Sequence, residues 1–124
     1  MSKNAQLPET VLVVDDNEDA AVSLAMLLEI HGFRVRTVFS GVSALAALNT
    51  ERADFVLLDI GLPGMDGHEV ARRIRADQAF ASVKLIALTG WGQPADREAS
   101  MKAGFDAHLV KPVEMQALLE LLVG

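Results

Sequence analysis

A parallel α/β sandwich, five strands alternating with five helices, is the architecture the sequence predicts, and two observations predict it. First, the short branched and apolar runs Thr10–Val14, Ala53–Leu58, Val83–Leu88 and Ala107–Val110 lack the in-out alternation of a half-solvated sheet, as strands covered on both faces do. Second, the segments between them carry apolar residues at helical spacing. Strict alternation of strand and helix implies right-handed crossovers and a doubly wound, three-layer sheet.

Residues 1–9 read as a disordered lead-in ending near Pro8, and residues 10–124 as the domain. The first strand is Thr10–Asp15. Asn17 caps the helix that follows, with Glu18 and Asp19 in its first turn, where carboxylates favour the helix dipole. Ala20, Leu24, Leu27, Leu28 and His31 form its expected inner stripe, and Gly32 suits its stop. Phe33–Val38 is the second strand, and the charged Arg34 and Arg36 mark it as an edge. Ser40 caps a helix expected to turn Val42, Leu45, Ala46 and Leu48 inward. Phe55–Asp59 is the third strand. The Gly61–Gly67 loop leads into a third helix with Val70 and Ile74 inward and Arg72, Arg73 and Arg75 forming a solvated face. Val83–Leu88 is the fourth strand, ending at Thr89. The next helix, Pro94–Ala103, offers only the small stripe Ala95, Ala99 and Ala103, so it should be held weakly. Ala107–Val110, Lys111-Pro112 and a last helix with Val113, Leu118, Leu119 and Leu122 complete the chain.

Bulk properties narrow the function. The 124 residues suffice for one domain, and 51% hydrophobic with 23% charged residues is ordinary for a compact chain. The net charge of −6 argues against a nucleic-acid or anionic-membrane partner, which would need a basic face. Cysteine is absent, so disulfides and thiolate metal sites are excluded. No signal-like apolar segment follows the polar first residues, and no run is long enough to span a membrane. A cytoplasmic location is expected.

Chemistry concentrates where strands end. Asp15, Asp16 and Asp59 close two hydrophobic runs, Thr89 closes a third and Lys111 a fourth. In parallel sheets the crevice beyond the carboxyl ends of the strands binds ligands. Three acids gathered there repel one another unless a cation lies between them. That pattern points to Mg²⁺-dependent handling of phosphate. Each residue also has a plainer reading. Asp59 or Thr89 could cap a helix or turn, Asp15 and Asp16 could form a solvated capping turn, and Lys111 could be a surface lysine.

Four segments then weigh together: Val13-Val14-Asp15-Asp16-Asn17, Leu57-Leu58-Asp59-Ile60-Gly61-Leu62-Pro63-Gly64-Met65-Asp66-Gly67, Ala87-Leu88-Thr89-Gly90 and Leu109-Val110-Lys111-Pro112. In this order and spacing the chain resembles the receiver domains of two-component response regulators, from about Thr10 to Val123. The resemblance implies a flavodoxin-like fold with strand order 2-1-3-4-5. It implies that Asp59 accepts a phosphoryl group, and that Asp16, Asp59 and the Gly61 backbone carbonyl hold Mg²⁺ while Asp15 acts mainly through water. It further implies that Lys111 pairs with Asp59 before phosphorylation and with a phosphate oxygen after, that Thr89 hydrogen-bonds the phosphoryl group, and that Lys111-Pro112 is cis. The implied partners are a sensor histidine kinase or histidine phosphotransfer protein and a downstream protein, with the domain a monomer or weak homodimer.

This sequence departs from the family at His108, where receivers commonly place an aromatic ring that swings inward as the threonine moves. Histidine is smaller, polar and titratable near neutral pH, which puts that switch in doubt. Trp91, between Gly90 and Gly92, could partly cover the site, and its fluorescence is expected to respond to Mg²⁺. The Leu88–Gln93 and Gly104–Pro112 stretches look similar to receivers fused to hybrid sensor kinases. An aspartate-nucleophile phosphatase is the alternative class. It needs a second acid two residues after the nucleophile, where this chain has Gly61. A flavin carrier on the same fold fits less well, because Asp15 and Asp16 would repel the flavin phosphate.

Overall fold

The computed structural model describes residues 9–90 and 94–123. The strands are β1 (Thr10–Val14), β2 (Arg34–Val38), β3 (Phe55–Asp59), β4 (Lys84–Thr89) and β5 (Ala107–Val110). The helices are α1 (Glu18–Ile30), α2 (Gly41–Thr50), α3 (Gly67–Ala76), α4 (Pro94–Ala103) and α5 (Met115–Val123), with one 3₁₀ turn at Gln78–Phe80 that the sequence reading lacks. All pairings are parallel and the sheet order is β2-β1-β3-β4-β5, the flavodoxin-like arrangement expected.

Strand alternation divides the core into two layers. Leu12, Val14, Val56, Leu58, Leu85 and Ala87 pack against Ala44 and Leu48 of α2, Val70 and Ile74 of α3, and Ala103 and Phe105. Val11, Val13, Leu57, Ile86 and Leu88 face the other way, onto Ala21 and Leu28 of α1 and Leu118 and Leu122 of α5. Extending that alternation one step fixes the site. Asp15, Asp59 and Lys111 continue the α1/α5 side, whereas Thr89 and His108 continue the side of α3 and α4.

The helices sit differently from their predicted stripes. On α1 the buried residues are Ala21, Ala25 and Leu28, while Ala20, Leu27 and His31 are exposed and Leu24 is half-buried. The helix is apolar nearly all round, so hydropathy leaves its rotation open, and small alanines let it lie close to the sheet. On α2 the inner face is Gly41, Ala44 and Leu48, with Val42 and Ala46 turned outward. On α4, Ser100 and Ala103 are buried and Ala99 is exposed; Ala95 lies outside the residues whose surroundings are described. Asn17, Ser40 and Asp66 each cap a helix by accepting a backbone N–H.

Arg75 is not part of a solvated face. Its Nε donates to Gly104 O at 2.9 Å, one terminal nitrogen to Phe80 O at 3.3 Å and the other to Asp106 Oδ2 at 2.6 Å. The same Asp106 oxygen accepts Leu85 N–H at 2.8 Å. This knot ties α3, the 3₁₀ turn, β4 and β5 together at the rim where the strands begin. Gly104, at φ 113°, ends α4 in the left-handed region that glycine tolerates. Arg72 and Arg73 do remain outward, paired with Glu69, and these guanidiniums hold the Glu69 carboxyl below its ordinary value.

Candidate functional site

The three expected acids meet at the rim where the strands end. Asp15 follows β1, Asp59 is the last residue of the central strand β3, and each of Asp15, Asp16 and Asp59 places a carboxylate oxygen within 4.8 Å of the others. Asp15 and Asp59 are only 4% and 9% exposed, whereas Asp16 faces solvent. Local geometry fixes two of them. Asp15 Oδ1 accepts Asn17 N–H at 3.0 Å, and Asp59 Oδ1 accepts Gly61 N–H at 2.9 Å, so each carboxylate is held by the turn that follows it.

Lys111 completes the cluster across the sheet. Its Nζ lies 2.9 Å from Asp15 Oδ2 and 3.2 Å from Asp59 Oδ2, bridging two acids where the sequence reading has it paired with Asp59. Burial pushes the Asp59 carboxyl above its ordinary value, against the opposing pull of the Gly61 N–H and the Lys111 ammonium. Burial alone would lower Lys111, but the two carboxylates outweigh it and raise its pKa. The lysine therefore stays charged while Asp59 is easier to protonate than a surface aspartate. The Lys111-Pro112 peptide that carries it is cis, as the resemblance implies.

Thr89 ends β4 beside this group and is 7% exposed. His108, half-buried, lies opposite Ala87 in the β4–β5 register. Neither of the other histidines joins the acidic cluster. His31 is exposed, and His68 packs edge-on to Phe105 with Nε2 at 3.4 Å from Ser100 Oγ. Trp91, and with it the expected covering of the site, lies outside the described residues.

The donor set suits a hard cation. It consists of carboxylates alone among the described residues, with one of them open to water, and neither thiolate nor imidazole belongs to the cluster. Mg²⁺ favours such oxygen-only sites and retains several waters. One feature beside the site escapes the sequence reading. A cavity of about 250 Å³ between α1 and the β5–α5 turn is lined by Leu24, Leu27, Leu88, Lys111, Pro112 and Val113. Sequence reasoning assigns Leu24 and Leu27 to the core, and their surplus over what one helix face can bury is the available signal.

Comparison with known proteins gives a consistent result. The family model described as response regulator receiver domain matches residues 11–123. The sensory transduction protein RegX3 of Mycolicibacterium smegmatis is 38% identical over 110 residues, covering 89% of this chain and 47% of that protein. The sensor histidine kinase GacS of Pseudomonas protegens is 33% identical over 116 residues, 91% of this chain but 13% of the kinase. The chain thus spans about half, or much less, of the length of these curated relatives. Among solved structures, the receiver domain of a Pseudomonas aeruginosa sensor histidine kinase, with magnesium coordinated in its active-site cleft, superposes with a TM-score of 0.84 at 33% identity, covering 93% of this chain and 94% of that one.

Proposed function

This chain belongs to the response regulator receiver family and is a receiver domain of two-component systems, and from that premise we propose that Asp59 is its phosphoryl acceptor. A carboxylate oxygen of Asp59 forms a bond to phosphorus while the P–N bond of a donor phosphohistidine breaks and the imidazole leaves. The observation that carries this reading is the convergence of Asp15, Asp16, Asp59 and Lys111 at one rim, with Asp59 ending the middle strand of the sheet.

Each residue has a distinct task. Phosphoryl transfer depends on positioning and charge neutralisation more than on covalent help. Gly61 N–H holds one Asp59 oxygen and so fixes the carboxylate's orientation. Lys111 sits where its ammonium can leave Asp59 for an incoming phosphoryl oxygen, and a compact point charge suits that exchange. Asp16, Asp59 and the Gly61 carbonyl would hold Mg²⁺, with Asp15 acting through water. When bound, the ion neutralises charge on the phosphoryl oxygens. Thr89 supplies a hydroxyl on the α4 side, so that a new charge near −2 on Asp59 draws Thr89 and, through it, α4 and β5. His108 lies on the same side and is the residue through which this chain's response would differ from receivers with an aromatic ring there.

The donor is a sensor histidine kinase or phosphotransfer protein, and the output a changed protein-binding surface. The domain is a regulatory module that acts on its own acceptor, not an enzyme with turnover on free substrates, and it spans 10–124 after a lead-in at 1–9. A cytoplasmic location agrees with the lack, among the described residues, of any helix long and apolar enough to cross a membrane. The likeness to a kinase-borne receiver supports membership of a hybrid kinase. Intact-mass measurement after incubation with acetyl phosphate and Mg²⁺ tests the acceptor: wild type gains one phosphoryl group and Asp59→Asn gains none. Equal labelling of both would remove Asp59 from the role.

A further inference from the structure

We propose that Gly67, with Gly41 behind it, is a positioning residue for the acceptor, a deduction that rests on Asp59 taking the phosphoryl group. Gly67 opens α3, and a Cβ there would stand 2.6 Å from the carbonyl oxygen of Asp59, 2.7 Å from Ile60 Cα and 3.2 Å from the Asp59 carbonyl carbon. All three atoms are backbone, so none can rotate away. Gly67 N–H also donates to Ile60 O at 3.1 Å, closing the 61–66 loop directly onto the residue after the acceptor.

Gly41 acts on the same loop from behind. A Cβ at Gly41 would meet Met65 O at 2.8 Å and Val70 Cγ2 at 2.7 Å. Neither Gly67 nor Gly41 has a positive φ; that conformation belongs to Gly32, Gly64 and Gly104. Glycine is required at 41 and 67 for space, not for backbone freedom. The space serves one end: the starts of α2 and α3 press on a loop whose first amide, Gly61 N–H, holds Asp59 Oδ1 at 2.9 Å. Inserting a methyl at 67 would force α3 and the end of β3 apart by most of an ångström before ordinary contact, near 3.4 Å, is restored. That displacement passes to the Asp59 carboxylate and the Gly61 carbonyl together, because both hang from the same short stretch.

Gly67→Ala is compared with Gly32→Ala, a control in which φ is +98° but a Cβ meets nothing within 4 Å. The control lowers stability through backbone strain at the far end of α1 and leaves the site untouched. At matched folded fraction, Gly67→Ala is expected to weaken Mg²⁺ binding and slow acetyl-phosphate labelling by at least about tenfold, since a misplacement of about 1 Å costs on the order of 100-fold. In metal-free protein its Gly61 amide is expected to exchange faster than in wild type or Gly32→Ala. Wild-type values of all three in Gly67→Ala overturn the proposal. Should that variant fail to fold, Gly41→Ala carries the same expectation through Met65, and wild-type values there overturn it equally. A wild type that takes no label at Asp59 sinks the acceptor reading, and the Gly61 exchange rates, which need neither metal nor phosphate, then decide the positioning role alone.

Discussion

Replacing Lys111 with methionine keeps the aliphatic stem and removes the charge that separates two acids. In the wild type the ammonium lies 2.9 Å from Asp15 and 3.2 Å from Asp59. Without it, carboxylate oxygens within 4.8 Å of each other repel by about 3.5 kcal/mol at an effective dielectric of about 20. The Lys111 side chain is 32% exposed, so water and salt screen part of this, and a net loss of about 2 kcal/mol is expected near neutral pH. Urea denaturation would register that as a midpoint lower by about 1 M for a slope near 2 kcal/mol/M. The pH dependence has a definite sign. Asp59 already holds its proton more tightly in the folded chain because it is buried, and losing Lys111 raises its pKa further. Below about 3.9, where folded and unfolded forms are both protonated, the deficit disappears. It widens as pH rises through the folded value. At the alkaline end, the raised pKa of Lys111 preserves its contribution up to about 10.4, and the advantage of wild type fades only beyond that. Saturating Mg²⁺ should close most of the gap, because the ion supplies the missing positive charge. A variant as stable as wild type without metal at pH 7, or a deficit that Mg²⁺ does not reduce, would refute the electrostatic account of the cluster.

Three further outcomes are expected. Asp59→Asn should be more stable than wild type at pH 7 and no different in acid, because it removes a carboxylate whose ionisation burial opposes; urea midpoints across pH measure this. Arg75→Ala, which removes the guanidinium from Gly104 O and Phe80 O and leaves Asp106 Oδ2 with the Leu85 N–H alone, should cost about 2–3 kcal/mol in the same assay, with acetyl-phosphate labelling of the folded fraction unchanged. Thr89→Ala should still take label at Asp59 but lose any phosphorylation-dependent change in amide exchange across α4, and a wild-type response there would remove Thr89 from the switch.

The sheet was legible in the sequence because its strands are short apolar runs with polar ends, and buried parallel strands leave little ambiguity of that kind. The acids were legible for a related reason: a charged residue that ends a hydrophobic run has few places to go except the rim. Helix rotation was harder. Val22, Met26 and Ile30 on α1 are exposed, so size and hydropathy do not mark the inner face, which Ala21 and Ala25 form by close approach. Ser100 was hidden for the opposite reason, being a polar residue that is 1% exposed and lies within hydrogen-bond reach of His68. Arg75 looked like its neighbours Arg72 and Arg73, yet its partners Gly104 and Asp106 lie about thirty residues away, and helical spacing carries no trace of them. The double role of Lys111, bridging Asp15 as well as Asp59, likewise depends on how far apart β1 and β3 hold their last side chains.

All strands run in the same direction, so the chain enters and leaves the described domain on one side. Glu9 accepts the Arg34 amide at the foot of β2, and Leu121, in the last turn of α5, borders a cavity with Lys84 and Asp106 at the foot of β4. The reactive mouth opens at the far pole. Glu9 and the last turn of α5 thus both lie beneath the sheet, at the pole opposite Asp59. Neither of these described ends stands in the way of a donor approaching the acid cluster.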